Sequence, residues 1–470
     1  MIYWISIGKR LVDPAEVIEK MIKRKNYMKL KLLSVLLTGS TLFLTGCGGD
    51  DKSDHSSTSS DVDVNNIQNP VVNTPVPYNI KNDVLPPNAD VNNIQNPVVS
   101  TPVPYKIEGD TLPPNAAESV VMTYKMKGIT GQETRATALV FTPKTAPPPG
   151  GWPIVAWAHG TTGVADTCAP SQNKLFVAGI DVHTQKMVDN FVKEGYVVVA
   201  PDFEGLGEPS GKEIHPFLNL KSEAYSITDA VVATKSWLGN KVSNKWAVAG
   251  LSQGGHAALG AAQYAARANM DYKGAVAMAP ANNLELIENL SEMALADQDG
   301  VVQIGGYAAL DTLTAYMAAG IKAVNPTEAA YSIIFKTPTD KIAEKAEKEC
   351  IAALGAAFVL PMTVYNIKNG SLKGYPRKKE GYKNDPIVRQ FLDKDSQPLQ
   401  TLVKTPIIIY QGGKDTVVLP QATDTLVAQA RALTTKIDYR TNSSWSHTGS
   451  FTANVDNGQL LEDIKTLLAN

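Results

Sequence analysis

From residue 117 onward, apolar residues gather in short β-branched runs separated by stretches of helical period. The runs Pro153–Ala158, Tyr196–Pro201, Trp246–Gly250, Gly274–Ala279 and Pro406–Tyr410 are almost continuously apolar. That pattern belongs to strands buried on both faces, as in a parallel sheet. Between two of them, Ala224–Leu238 sets Ile227, Val231 and Leu238 on one helical face and stops at Gly239-Asn240. Val120–Met126 and Ala136–Thr142 read as an antiparallel opening pair. The alternation predicts an α/β fold with an open, mostly parallel sheet flanked by helices.

One segment interrupts the alternation. About 125 residues separate the fourth of those runs from the fifth, far more than a strand-to-strand crossover requires. They are rich in Ala, Leu, Met, Tyr and Lys and read as helical, notably over Tyr307–Val324 and Thr339–Val359. An insertion over about 284–400 predicts a mainly helical cap above the carboxyl ends of the strands, where such sheets bind ligands.

The front of the chain is of another kind. Two lysines after Met28 precede an apolar stretch, Leu32–Leu44, shorter than the ~20 residues that span a bilayer. It ends Leu44-Thr45-Gly46-Cys47, which resembles a bacterial lipobox, so residues 28–47 are expected to be a lipoprotein signal with Cys47 lipidated. Met28 is the expected start, with residues 1–27 an over-extended reading frame. From 48 to 116 the chain is Asn- and Pro-rich, and residues 63–89 match residues 90–116 at 22 of 27 positions. Ten of the chain's 29 prolines lie in these two copies, which denies backbone hydrogen bonds at close intervals. The expectation is a disordered, extended tether, with residues 117–470 forming the folded domain.

Composition narrows the function. Lys+Arg (44) nearly balance Asp+Glu (46), which argues against a nucleic-acid binder. The chain has three cysteines and six histidines, with neither a Cys-x-x-Cys nor a His-Glu-x-x-His spacing, so no metal and no cofactor is expected.

Chemistry enters at Gly250-Leu-Ser252-Gln-Gly254, between an apolar strand and an Ala/Gly-rich helix. The bare Gly-x-Ser-x-Gly motif is expected by chance roughly 0.1–0.2 times in such a chain; its context carries the argument. A nucleophilic serine must sit on a sharp strand-to-helix turn, where side chains two positions away would collide. It also needs a base oriented by a carboxylate, following in the order Ser, Asp, His. Asp415, past the run Pro406–Tyr410 and a Gly-Gly turn, and His447, after the strand-like Lys436–Arg440, supply that order. Each could instead cap a turn or the last helix. Oxyanion donors are expected at the amides of Gln253 and of Thr161, which follows His159-Gly160. His159, His256 and Asp202 read as structural.

These residues, with Pro201-Asp-Phe-Glu-Gly-Leu-Gly207, Gly413-Lys-Asp415 and His447-Thr-Gly449, resemble the α/β-hydrolase superfamily and, within it, the secretory lipase family. The resemblance covers about residues 117–470 and implies a serine hydrolase acting on carboxylic esters. If Cys47 carries lipid, Cys168 and Cys350 remain as one pair, and the resemblance supports a disulfide between them.

The expected protein is a lipase or esterase held at the cell envelope, in the periplasmic leaflet or on the cell surface. It would act as a monomer on a lipid or small ester, with no nucleic-acid partner. Apolar cap segments such as Ala352–Met362 fit either an acyl tunnel or the cap's own core. A peptidase or amidase on the same scaffold is the enzymatic alternative; a non-catalytic adhesin is a more distant one.

Overall fold

A computed structural model describes residues 92–106, 112–172 and 181–469. The signal segment with Cys47, the residues before it and the first repeat copy lie outside the described residues. Nine strands are β1 (Val103–Pro104), β2 (Ala116–Lys127), β3 (Glu133–Pro143), β4 (Trp152–Ala158), β5 (Val197–Pro201), β6 (Val242–Leu251), β7 (Asp271–Met278), β8 (Ile407–Gly412) and β9 (Ile437–Asn442). They form one sheet in the order β1-β2-β3-β5-β4-β6-β7-β8-β9. Pairing is antiparallel from β1 to the β3–β5 contact and parallel from β5 to β9.

Helices cover both faces, because the central strands are apolar on both. Before the cap come α1 (Asp181–Lys193), α2 (Leu220–Leu238) and α3 (Gln253–Tyr264). The cap carries α4 (Leu284–Ala296), α5 (Gly300–Val324), the short α6 (Ala330–Ile334) and α7 (Thr339–Ala343), then α8 (Ile351–Asn369) and the short α9 (Pro386–Gln390). Last come α10 (Pro420–Ala432), α11 (Gly449–Asp456) and α12 (Gln459–Ala469). One face of the sheet packs on α2, α3 and α10 through Ile227, Val231, Leu259 and Leu426. The other packs on α1, α11 and α12 through Val188, Phe191, Phe451 and Leu467.

The cap has its own apolar core, built around Tyr316, Phe335, Phe358 and Phe391. An ionic clamp fastens its rim: Arg377 forks onto Glu292 at 2.9 Å through both terminal nitrogens and reaches Asp311 at 2.6 Å. Burial alone would raise the Glu292 carboxyl, but Arg377 and Lys378 outweigh it and hold the group at about 2.

Two expectations need correction. The stretch Thr339–Val359 is not one helix: α7 passes into a tight turn over Glu344–Glu347, and a new helix starts at Ile351. Cys350 interrupts it, taking an extended conformation at the head of α8 and bonding to Cys168. Nor does the folded domain begin after a disordered second repeat, because residues 92–106 run along the sheet edge. The Val99 amide donates to the Thr123 carbonyl (3.0 Å) and the Tyr105 amide to the Ser119 carbonyl (2.8 Å), while the Pro97 carbonyl accepts from Lys125 (2.7 Å). Prolines are tolerated there because an edge strand turns half of its donors away from the ladder.

The Cys168–Cys350 bridge closes a loop of sequence separation 182. Replacing both cysteines by serine is expected to cost ~2–5 kcal/mol of stability, chiefly through the freed unfolded chain. Denaturant melts of the two forms check this.

Candidate active site

Strand β6 delivers Ser252 to a turn that leads directly into α3, with φ 60° and ψ −117°. A non-glycine residue held at positive φ is strained, and it persists here because its neighbours fix it. The Ser252 amide donates to the Met278 carbonyl at 2.9 Å, and the Ser252 carbonyl accepts from His256 (3.0 Å) and Ala281 (3.1 Å). The flanking glycines have steric causes. A Cβ on Gly254 would lie 1.9 Å from the Ala158 carbonyl oxygen, and one on Gly250 would lie 2.1 Å from that of Gly254.

Asp415 and His447 come together from successive loops. His447 Nδ1 donates to Asp415 Oδ2 at 2.8 Å, and Asp415 Oδ1 accepts from the amides of Val417 (2.8 Å) and Val418 (2.9 Å). Asp415 is buried, whereas the His447 side chain keeps 16% exposure, which leaves room for proton traffic at its other nitrogen. The loops are stitched by Lys414 N–H donating to the Trp445 carbonyl at 2.9 Å and Gly413 N–H to that of Asn442 at 2.8 Å.

Thr161 follows the end of β4, and Gly160 before it lies beside the turn: a Cβ there would stand at ordinary contact distance, 3.9 Å, from that of Ser252. Gln253 opens α3, and the first amides of a helix have no intrahelical acceptor. Thr161, Ser252 and Gln253 border one apolar cavity of about 100 Å³. Its other walls include Leu284 and Ile287 of α4, Leu313 and Met317 of α5, and Val418. Segment Ala352–Met362 instead packs into the cap's own core through Leu354, Phe358 and Met362. Among the described residues no cluster of His, Cys, Asp or Glu is placed to hold a metal ion.

His159, Asp202 and His256 are buried and bonded to protein. His159 lies against Phe203 with ring centres 4.5 Å apart and planes tilted by 32°, and burial pushes its pKa down. Asp202 accepts from the Thr137 hydroxyl (2.6 Å) and the Ser171 amide (2.9 Å), with burial pushing its carboxyl up to about 6.

A network that sequence reasoning missed lies behind the elbow. Glu223, fully buried in the first turn of α2, takes His256 Nδ1 on one oxygen (2.6 Å). Its other oxygen accepts Gln253 Nε2 (2.9 Å) and the Leu218 amide (3.1 Å). Gln253 Nε2 also donates to His215 Nε2 at 2.7 Å. Burial lowers His215 to about 4, so it is neutral at pH 7, with Nδ1–H donating to the Glu204 carbonyl. The Gln253 side-chain amide is therefore clamped between the Glu223 carboxyl group and a neutral imidazole. An acidic residue three to four positions into a helix looks like capping, which hid the second duty of Glu223. Glu204, beside this network, accepts from the Ser222 hydroxyl (2.5 Å) and the Ile129 amide (2.8 Å), and burial pushes its carboxyl up to about 7.

Residues 171–458 match the family model described as secretory lipase. No curated protein sequence matches. Among solved structures, a rice cell wall degrading esterase LipA from Xanthomonas oryzae is similar at 19% identity, TM-score 0.52, over 75% of this chain and 88% of that one. Lipase A from Candida antarctica in its closed state is similar at 17% identity, TM-score 0.56, over 78% of this chain and 83% of that one. At such identities the likeness is one of fold, that of the α/β-hydrolases.

Two outcomes are expected here. Glu223→Gln loosens the Gln253 clamp, so kcat on a soluble ester should fall about 10- to 100-fold with KM little changed, less than the 10²–10³ typical of losing an oxyanion donor. An unchanged kcat would assign Glu223 to folding alone. For Glu204, the folded protein binds the carboxyl proton more tightly than the unfolded chain, so wild type loses stability as pH rises from 4.5 through 7. Glu204→Gln should therefore gain on wild type across that window by up to ~3 kcal/mol, read from denaturant midpoints.

Proposed function

This chain belongs to the secretory lipase family, whose members hydrolyse esters, and from that premise we propose that it cleaves short- to medium-chain carboxylic esters through an acyl-enzyme on Ser252. The observation that carries the reading is one arrangement. A serine at a strained elbow opens onto an apolar cavity, and a histidine fixed by a buried carboxylate at 2.8 Å follows β9, at the same end of the parallel sheet.

In the proposed reaction His447 takes the Ser252 hydroxyl proton through Nε2 as the oxygen attacks the acyl carbon. Asp415 keeps the Nδ1 tautomer and stabilises the imidazolium that forms. Negative charge on the carbonyl oxygen is received by the amides of Thr161 and Gln253. The alcohol leaves with the proton from His447, and water, activated by the same imidazole, releases the acid. The acyl chain lies among Leu284, Ile287, Leu313 and Met317. An apolar cavity near 150 Å³ takes a benzene ring, so about 100 Å³ suits an acyl chain of roughly four to six carbons.

We further propose that the enzyme is held at the cell envelope through lipid on Cys47. The lysine-flanked apolar segment that ends in Leu44-Thr-Gly-Cys47 supports this.

A series of p-nitrophenyl esters from C2 to C16, assayed beside Ser252→Ala, tests the reaction. Expected is a maximum at C4–C6, with the variant at least about 10⁴-fold slower. A maximum at C12 or longer would refute the cavity argument. Inactivity on every ester while a fluorophosphonate still labels Ser252 would favour an amide substrate.

A further inference from the structure

The seat taken by the second repeat copy is a built one. Asn92 Nδ2 donates to Asp229 Oδ1 at 2.8 Å, and its backbone amide donates to the Arg267 carbonyl at 3.0 Å. Val98 bridges to Tyr124, and Val103 pairs with Val121 on β2, the longest strand of the antiparallel end. Tyr105 is 3% exposed and meets Phe141 edge-on, with ring centres 6.5 Å apart. This segment fills a groove between the sheet edge, α2 and the turn after α3.

The chain carries a second segment able to fill the same groove. Residues 65–78 repeat residues 92–105 with 13 of 14 positions identical. The single difference, Asn73 for Ser100, falls where the seated copy is exposed. Asn65, Pro70, Val72, Val76 and Tyr78 thus duplicate the residues that hold the seated copy: Asn92, Pro97, Val99, Val103 and Tyr105.

We propose that the first repeat copy is an alternative occupant of this seat, so that residues 65–78 and 92–105 of the same chain exchange on the edge of β2. The seated copy has the advantage of proximity. Ten residues, 106–115, connect it to β2, against 37 residues, 79–115, for the first copy. Loop closure scaling as the three-halves power of length then favours the second copy about sevenfold. That leaves the exchanged form at roughly a tenth of the molecules. Exchange moves the point where the chain leaves the domain by 27 residues. For an enzyme anchored at Cys47, as proposed above, the chain between the anchor and the seat would then be 27 residues shorter. The exchange itself does not depend on the anchor or on the reaction.

Disulfide trapping in the full chain reads the exchange directly. Val103→Cys with Val121→Cys is the positive control, since those positions pair across the ladder. Val76→Cys with Val121→Cys should also give an intrachain disulfide, found by peptide mapping without reduction. Its yield should rise severalfold when Tyr105→Ala weakens the second copy. Absence of that bond under conditions where the control forms it, with or without Tyr105→Ala, would overturn the proposal. So would a bond found only between two chains, which would make the occupant another molecule's repeat. Thermal melts give a second reading. Tyr78→Ala should leave Tm unchanged, Tyr105→Ala should lower it slightly, and the pair should lower it by more than the two added. Equal Tm for Tyr105→Ala and the double variant would also overturn the exchange.

Discussion

Between the end of β4 and the first turn of α3 there is no space for a side chain: a Cβ on Gly254 would fall 1.9 Å from the Ala158 carbonyl oxygen. That approach brings the Thr161 loop, the serine and the start of α3 within reach of one small volume. Ser252 itself sits at φ 60°, in a turn fixed by its backbone bonds to Met278, His256 and Ala281. The parallel strands deliver these groups at their carboxyl ends, and Asp415 and His447 arrive by the same geometry from β8 and β9. A sheet whose loops open at one end concentrates such groups without any one loop having to be long.

Much of this was legible in the sequence, and for stated reasons. Strands such as Trp246–Leu251 are buried on both faces and so leave a continuous apolar signature. The elbow advertises itself through glycines whose absence would be a collision. Asp415 follows an apolar run and a Gly-Gly turn, and His447 follows the strand-like Lys436–Arg440, in the chain order the serine requires. What stayed hidden were interactions between positions far apart in the chain. The grip of Glu223 on Gln253 and His256 joins the start of α2 to the start of α3, and locally Glu223 resembles any capping acid. The helix break before Ile351 follows from a bond to Cys168, which helical period cannot register. Residues 92–106 were misjudged because proline content reads as disorder, although an edge strand makes modest demands on its donors.

The cap divides its duties between helices. α4 and α5 face the cavity, while α8 turns Leu354, Phe358 and Met362 into the cap interior and shows Leu360 and Val364 to solvent. The head of α8 is tied to the domain twice, by the disulfide and by its first amide, which donates to the Thr162 carbonyl at 2.9 Å. The same residue pair that anchors the cap thus borders the loop after β4, and Gly163 lies flat against it because a Cβ there would stand 2.6 Å from the Cys168 sulfur.

The disulfide also divides the molecule topologically. Residues 168–350 form a covalent ring that contains β5, β6, β7, the serine and most of the cap. Asp415 and His447 lie outside it, on a C-terminal arm that leaves the ring at Cys350 and returns to it through noncovalent contacts. That arm ends the sheet at β9, an edge strand whose outer residues are largely exposed. The ring holds Ser252 together with the cavity walls from α4 and α5, whereas the arm, which supplies Val417 and Val418 to the same cavity, can peel from the sheet edge first. On the reaction proposed above, heat or a denaturant would then part Ser252 from Asp415 and His447 while most of the ring is still folded, so that loss of turnover would mark detachment of the arm and not collapse of the core.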